Sequence, residues 1–204
     1  MLYNIYRTNG YLPLGITDWE HLRVMRLDYT ERQLYNHRYV DTKNLDLNKL
    51  YKKRGKNAEL KKIGFISRDF HEIRPSAQLA MRFFDILSKY KDSFSLFFYT
   101  RKGVMVSECF NNYGSVIIHE SDDELATAIV NEDIDILVDM QGFMVNNFTN
   151  VLLKKPAPII IHWLGYPGTL GLPCVDYLIA DEIILPERSQ KYYREKIAYL
   201  PHCY

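Results

Sequence analysis

The sequence of 204 residues has few cysteines, no strong excess of either charge and no long apolar run. Its 3 cysteines lack Cys-x-x-Cys spacing, which argues against a disulfide framework or a zinc site and favours a reducing compartment. The 26 basic and 25 acidic side chains nearly cancel, which excludes a strongly basic nucleic-acid binder. No apolar run approaches the roughly 18 residues of a membrane span, and the apolar residues 159–161 are followed by the polar His162, so we expect no membrane span.

Residues 1–60 differ in charge from the rest of the chain. They hold 11 Lys or Arg and 7 Asp or Glu, a net charge of +4. The basic stretch Lys49–Lys56 could contact phosphate or RNA, but its sparse aromatic residues favour a solvated linker. Upstream, Asp18 or Thr17 can cap a helix. We therefore predict a short helical appendage and a basic linker over 1–60.

From residue 61 onward, apolar strands alternate with helical segments. The predicted strands are Lys62–Ser67, Phe94–Tyr99, Val116–Ile118, Ile134–Val138, Ile159–Trp163 and, as a sixth, Tyr177–Ile179. Crossovers of about 10 residues between strands that are apolar on both faces indicate a parallel sheet with helices on both sides. The prediction for 61–204 is an α/β, Rossmann-like, doubly wound domain.

Local signals place the helices between these strands. Pro75 suits the first position of a helix, and Leu79, Phe83 and Leu87 would line its core face. The run Ser121-Asp-Asp-Glu124 has the pattern of a capping box. Shorter helical segments are expected at Phe148–Leu153 and Pro186–Tyr193.

Ligands of such sheets bind beyond the carboxyl ends of the strands, so the loops after Ser67, Val138 and Trp163 are the candidate site. The first loop has no Gly-x-Gly-x-x-Gly motif, which disfavours a dinucleotide enzyme. It offers Asp69, His71 and Arg74 instead. His71, near the start of a helix, could act as a base or orient a hydroxyl. Alternatively, Arg68, Asp69 and Arg74 could form a surface ion network with His71 in solvent.

The second and third loops are also ambiguous. Asp139 could contact a ligand or cap the turn that follows it, where Gly142 permits close backbone approach. The third loop, Trp163–Pro173, holds three glycines and two prolines. Its backbone N–H groups could meet a ligand, or it could be a structural Ω-loop at the sheet edge.

Several stretches resemble the O-GlcNAc transferase and SPINDLY family. The most specific is Pro156-Ala-Pro-Ile-Ile-Ile-His-Trp-Leu-Gly-Tyr-Pro-Gly-Thr169. Ile63–Phe70, Asp135–Phe143, Val175–Asp181 and Tyr193–His202 are similar to further family segments in the same order, and Ile16–Trp19 resembles a motif upstream of the family's catalytic region.

The resemblance implies the N-terminal half of a GT-B fold and an inverting, metal-independent transfer of a sugar from a nucleotide donor to Ser or Thr hydroxyls. No cofactor is implied. The family's loop against the donor would correspond to Leu164, Gly165, Tyr166, Pro167, Gly168 and Thr169. Its catalytic loop would correspond to Asp69, His71 and Arg74. An acceptor protein and a nucleotide sugar are the implied partners, with neither nucleic acid nor membrane, in a cytoplasmic or nucleocytoplasmic setting.

The sequence departs from the family at the catalytic loop. The family usually has His directly before the helix-starting Pro, whereas Arg74 precedes Pro75 here. A guanidinium cannot act as a base at neutral pH, and the only imidazole in this loop is His71. A non-catalytic binding or scaffold module is therefore the alternative function.

Two further expectations follow from the resemblance. The sequence ends at Tyr204, before the family's nucleotide-binding domain, so we expect a chain that is inactive alone and that a separate C-terminal half could complete. The donor is ambiguous as well. Gly168 resembles the branch that transfers GlcNAc from UDP-GlcNAc, while Gly171-Leu172-Pro173 resembles the branch that uses GDP-fucose.

Overall fold

Seven parallel strands form one sheet in residues 61–202, the part of the chain that the computed structural model describes. They are β1 (Lys61–Ile66), β2 (Phe94–Arg101), β3 (Ser115–His119), β4 (Ile136–Asp139), β5 (Ile159–His162), β6 (Tyr177–Ala180) and β7 (Lys196–Tyr199). Their order across the sheet is β3-β2-β1-β4-β5-β6-β7. Strands β2 and β3 are added on one side of β1, and strands β4 to β7 are added on the other side. The pair β1 and β4 is therefore the topological switch point.

Three α-helices connect strands in the described part of the chain: α1 (Pro75–Leu87), α2 (Asp122–Asn131) and α3 (Thr149–Leu153). Two 3₁₀ helices, Glu108–Asn112 and Glu187–Tyr192, lie between other strands. The capping box at the start of α2 is confirmed: the Glu124 amide donates to Ser121 Oγ at 3.2 Å, and the Glu124 carboxylate accepts from the Ser121 amide at 3.4 Å.

The sheet is covered on both faces, as the doubly wound prediction requires. Phe65 and Ile66 are neighbours on β1, so their side chains point to opposite faces, and they belong to two separate buried clusters. The cluster around Phe65 includes Phe84 of α1, and the cluster around Ile66 includes Leu125 of α2 and Leu152 of α3.

The predicted core face of α1 is wrong at two of its three positions, whereas the third, Leu87, packs against the core. Leu79 is 68% exposed and Phe83 is 40% exposed, while Ala77, Ala80 and Phe84 are buried against the sheet. Both sets recur at helical spacing. The alanines face inward because a small residue lets the helix lie close to the strands beneath it.

The remaining differences concern short elements. The predicted helix at Pro186–Tyr193 is a 3₁₀ helix that begins at Glu187, and strand β7 was not predicted at all. The predicted appendage and linker over 1–60 lie outside the described residues. No helix formed by residues 61–202 has the length and apolar character needed to cross a membrane.

Candidate active site

The three loops that the sequence singled out follow β1, β4 and β5, which are neighbours in the sheet. A side chain joins the first two loops across the switch point: Gln141 Oε1 accepts a hydrogen bond from Ser67 Oγ at 3.3 Å and one from the Arg68 amide at 3.2 Å. Arg68 also donates from Nη1 to the Val145 carbonyl oxygen at 3.4 Å. The carboxyl edge of the sheet is therefore one connected surface.

The first loop brings Asp69 and Arg74 together. Arg74 Nε lies 3.7 Å from Asp69 Oδ1, and Asp69 Oδ2 accepts from Ser76 Oγ at 3.3 Å. The Asp69 amide donates to Ser67 Oγ at 3.0 Å, which fixes the start of the loop. The Arg74 side chain is 52% exposed, so this ion pair contributes about 1 kcal/mol of stability at most.

His71 is held by its own loop. Its Nδ1 accepts a hydrogen bond from the Ile73 amide at 3.3 Å and lies 3.6 Å from Glu72 Oε2. A neutral ring that accepts at Nδ1 carries its proton on Nε2. Nε2 can then donate to a ligand but cannot take a proton from one. The His71 side chain is 18% exposed, so the imidazole is partly shielded from solvent.

Asp139 caps the turn that follows β4. This fully buried carboxylate accepts hydrogen bonds from the Gln141 and Gly142 amides, both at 3.0 Å. Of the two roles that the sequence allowed, the structure shows the cap. Gly142 has a φ of +56°, a conformation that side chains rarely adopt.

The glycine-rich loop after β5 is tightly packed. A Cβ at Gly165 would overlap the Met140 carbonyl oxygen, and one at Gly168 would lie 2.6 Å from the Tyr166 ring. These glycines let the loop fold onto the neighbouring turn and onto itself. The structure buries four of the six predicted donor-binding residues and leaves Pro167 exposed and Gly165 half-buried; the buried ones are Leu164, Tyr166, Gly168 and Thr169.

Two buried side chains that the sequence analysis missed fix this loop. His162, the last residue of β5, contacts the Tyr166 carbonyl oxygen through Nε2 at 2.5 Å. Glu195 accepts from Thr169 Oγ1 at 2.6 Å and from the Leu170 amide at 2.7 Å. A histidine inside an apolar strand was an available signal for the first, because a buried imidazole needs polar partners. Nothing local marked Glu195.

The charge on His162 is set by its acidic neighbours. Burial opposes the imidazolium and lowers its pKa, but the hydrogen bond and charge of Asp139, the Tyr166 carbonyl and the charge of Glu195 outweigh burial. The net result is a pKa of His162 above its usual value. His162 Nδ1 lies 3.3 Å from Asp139 Oδ2, so the two groups form a buried ion pair.

The parallel sheet, its switch point and the anchored glycine-rich loop define a Rossmann-like, doubly wound α/β domain. The family model described as "Glycosyl transferase family 41" matches residues 43–204. The chain therefore belongs to glycosyl transferase family 41.

Named relatives agree with this assignment. The chain is 37% identical over 84 residues to the "Probable UDP-N-acetylglucosamine--peptide N-acetylglucosaminyltransferase SEC" of Arabidopsis thaliana, an overlap of 41% of this chain and 9% of the relative. It is 39% identical over 88 residues to the SPINDLY protein of the same plant, which covers 43% of this chain and 10% of the relative. The chain thus spans about a tenth of the length of these curated relatives.

A solved structure shares the fold. An O-GlcNAc transferase mutant from Thermobaculum terrenum superposes with a TM-score of 0.70 at 19% identity, over 88% of this chain and 35% of that one. This match confirms the predicted architecture, in which the seven-stranded sheet corresponds to one part of a GT-B enzyme.

Proposed function

We propose that this chain forms the acceptor-side domain of a protein O-glycosyltransferase, which transfers GlcNAc from UDP-GlcNAc to Ser or Thr hydroxyls with inversion and without a metal ion. Membership of glycosyl transferase family 41 supports a transferase. The curated relatives are named as UDP-N-acetylglucosamine–peptide N-acetylglucosaminyltransferases, which supports this donor and a protein acceptor.

The observation that carries the proposal is the anchored loop after β5. Within its segment 164–169, the accessible residues are Gly165 and Pro167, which lie at the carboxyl edge of the sheet beside the switch point. A rigid wall there can hold the donor sugar while the acceptor hydroxyl attacks the anomeric carbon and the diphosphate leaves from the opposite face. Such positioning lowers the barrier because the reactants are aligned before they react.

A second candidate function is a non-catalytic binding module. It is favoured by the first loop, where Arg74 stands at the family's histidine position and His71 carries its proton on Nε2 in the neutral ring. GDP-fucose remains the alternative donor. We also propose a separate C-terminal half as a partner and a cytoplasmic or nucleocytoplasmic location, in keeping with the resemblance.

A transfer assay distinguishes these functions. The chain, supplied with the C-terminal half that completes the enzyme, is incubated with Ser/Thr-containing peptides and radiolabelled UDP-GlcNAc or GDP-fucose. We expect slow transfer from UDP-GlcNAc. Arg74→His should raise kcat at least about 100-fold, because it supplies an imidazole at the family's position.

Arg82→His is the matched control, since Arg82 is an exposed arginine on α1 whose described side-chain contact is Asp85 at 2.9 Å. It should leave the rate unchanged. Absence of transfer from both donors by wild type and Arg74→His alike would contradict the enzymatic function and favour the binding module. Transfer from GDP-fucose alone would reject the proposed donor.

A further inference from the structure

The Tyr166 carbonyl and the Asp139 carboxylate face His162 from opposite sides of its ring. Nε2 lies 2.5 Å from Tyr166 O, and Nδ1 lies 3.3 Å from Asp139 Oδ2. Nδ1 also lies 3.3 Å from the main-chain carbonyl oxygen of Asp139. A carbonyl oxygen can only accept, so both ring nitrogens must carry hydrogen for the contacts with the two carbonyls to be hydrogen bonds. Only the imidazolium satisfies that condition.

The space for this ring depends on the turn after β4. A Cβ at Gly142 would lie 2.7 Å from His162 Cε1 and 2.5 Å from Tyr166 Cβ. The imidazole is fully buried between the Asp139 turn and the glycine-rich loop. Its position is therefore determined by two elements that are adjacent in the sheet but 23 residues apart in sequence.

The loop segment between His162 and Tyr166 is conformationally strained. Leu164 has a φ of +77°, a conformation that is uncommon and unfavourable for a residue with a side chain. Such a conformation persists only where surrounding contacts hold it. The hydrogen bond from His162 Nε2 to the Tyr166 carbonyl closes the segment that contains Leu164.

We propose that His162 is a positioning residue: its imidazolium joins Asp139 to the Tyr166 carbonyl and fixes the loop Leu164–Gly168 in the shape that meets the donor sugar. The inference rests on the proposed function of that loop. His162 is fully buried, so it acts through the loop and not by contact with the substrate.

The proposal implies a direction of pH dependence. The charged groups that face His162 are Asp139 on β4 and Glu195 ahead of β7, and both favour the imidazolium. A group whose pKa is raised by folding stabilises the fold fully below its unfolded pKa of about 6.5, and this stabilisation is lost as the pH rises through the folded value. The loop Leu164–Gly168 should therefore become more mobile as the pH rises through the folded pKa of His162.

The first test is direct. Correlation of ring ¹⁵N and ¹H nuclei by NMR, across pH 5 to 9, reports the protonation of His162 in the unaltered protein. We expect both ring nitrogens to carry protons at pH 6.5, and we expect the amide signals of Gly165 and Gly168 to shift together with any loss of a ring proton as the pH rises. A neutral ring at pH 6.5 would overturn the proposal.

The second test is functional. His162→Gln should weaken UDP-GlcNAc binding about 10- to 100-fold, the loss expected for a hydrogen bond to a charged group, and should abolish its pH dependence. His119→Gln is the matched control, because His119 ends another parallel strand at 36% side-chain exposure, and it should bind like wild type.

The two proposals can fail separately. If His162→Gln binds the donor as tightly as wild type does, the positioning role of His162 is overturned and the proposed function stands. If wild type binds no nucleotide sugar at any pH, the proposed function fails and the positioning role fails with it, whatever the protonation of the ring.

Discussion

At the scale of single residues, Gly142 decides how closely the turn after β4 approaches the loop after β5. Its φ of +56° and the neighbouring His162 ring both exclude a side chain. The close approach lets Asp139 reach the imidazole while it caps its own turn. The candidate site is thus assembled from one glycine, one acid and one histidine on two neighbouring strands.

Gly142→Ala should therefore destabilise the fold by about 2–4 kcal/mol, the sum of left-handed backbone strain and overpacking. Gly103→Ala is the control, because Gly103 has a φ of +84° but no atom within 4 Å of an added Cβ. It should cost only about 1–2 kcal/mol. Urea denaturation measures both, and equal losses would contradict the close packing around His162.

The residues of the site differ in how far the sequence could predict them. Asp139 and the glycine-rich loop were predicted because each carries a local pattern. His162 and Glu195 were not, because their partners lie 23 and 26 residues away along the chain. Long-range pairs of this kind depend on which strands are neighbours in the sheet, and no short sequence motif indicates which strands pair.

At the scale of elements, α1 shows the limit of periodicity. Its first core positions are Ala77 and Ala80, and its main anchor is Phe84, whose ring lies 4.9 Å from that of Phe65 and 5.1 Å from that of Phe98. The prediction gave most weight to large apolar residues such as Leu79 and Phe83, and it therefore selected a face that is largely exposed. Small residues carry little weight in such a pattern, although close packing on a sheet favours them.

Phe84→Ala should lower the free energy of unfolding by about 3–5 kcal/mol, the usual cost of removing a buried aromatic ring. Leu79→Ala, on the exposed side of the same helix, should change it by no more than about 0.5 kcal/mol. Chemical denaturation of the two variants, read side by side, tests the orientation of α1. A larger loss for Leu79→Ala would show that the helix packs through the face predicted from the sequence.

At the scale of the whole molecule, the alternation of strands and helices was enough to predict a parallel, doubly wound sheet. The order of the strands was not predictable from residue patterns, because pairing is non-local. Strand β7 also escaped prediction, since Lys196–Tyr199 is short and only partly buried along its length. The switch point between β1 and β4 nevertheless falls beside the loops that the sequence identified.

The central claim is that the loop after β5 meets a nucleotide sugar. The most direct test is a titration of the isotope-labelled chain, supplied with its C-terminal half, with UDP-GlcNAc, GDP-fucose, UDP and GDP. The account predicts saturable binding of UDP-GlcNAc, with amide shifts concentrated at Gly165 and Gly168 and none at the distant Gly103. The claim would be contradicted by absence of binding up to millimolar concentrations, or by amide shifts found only at residues outside this loop.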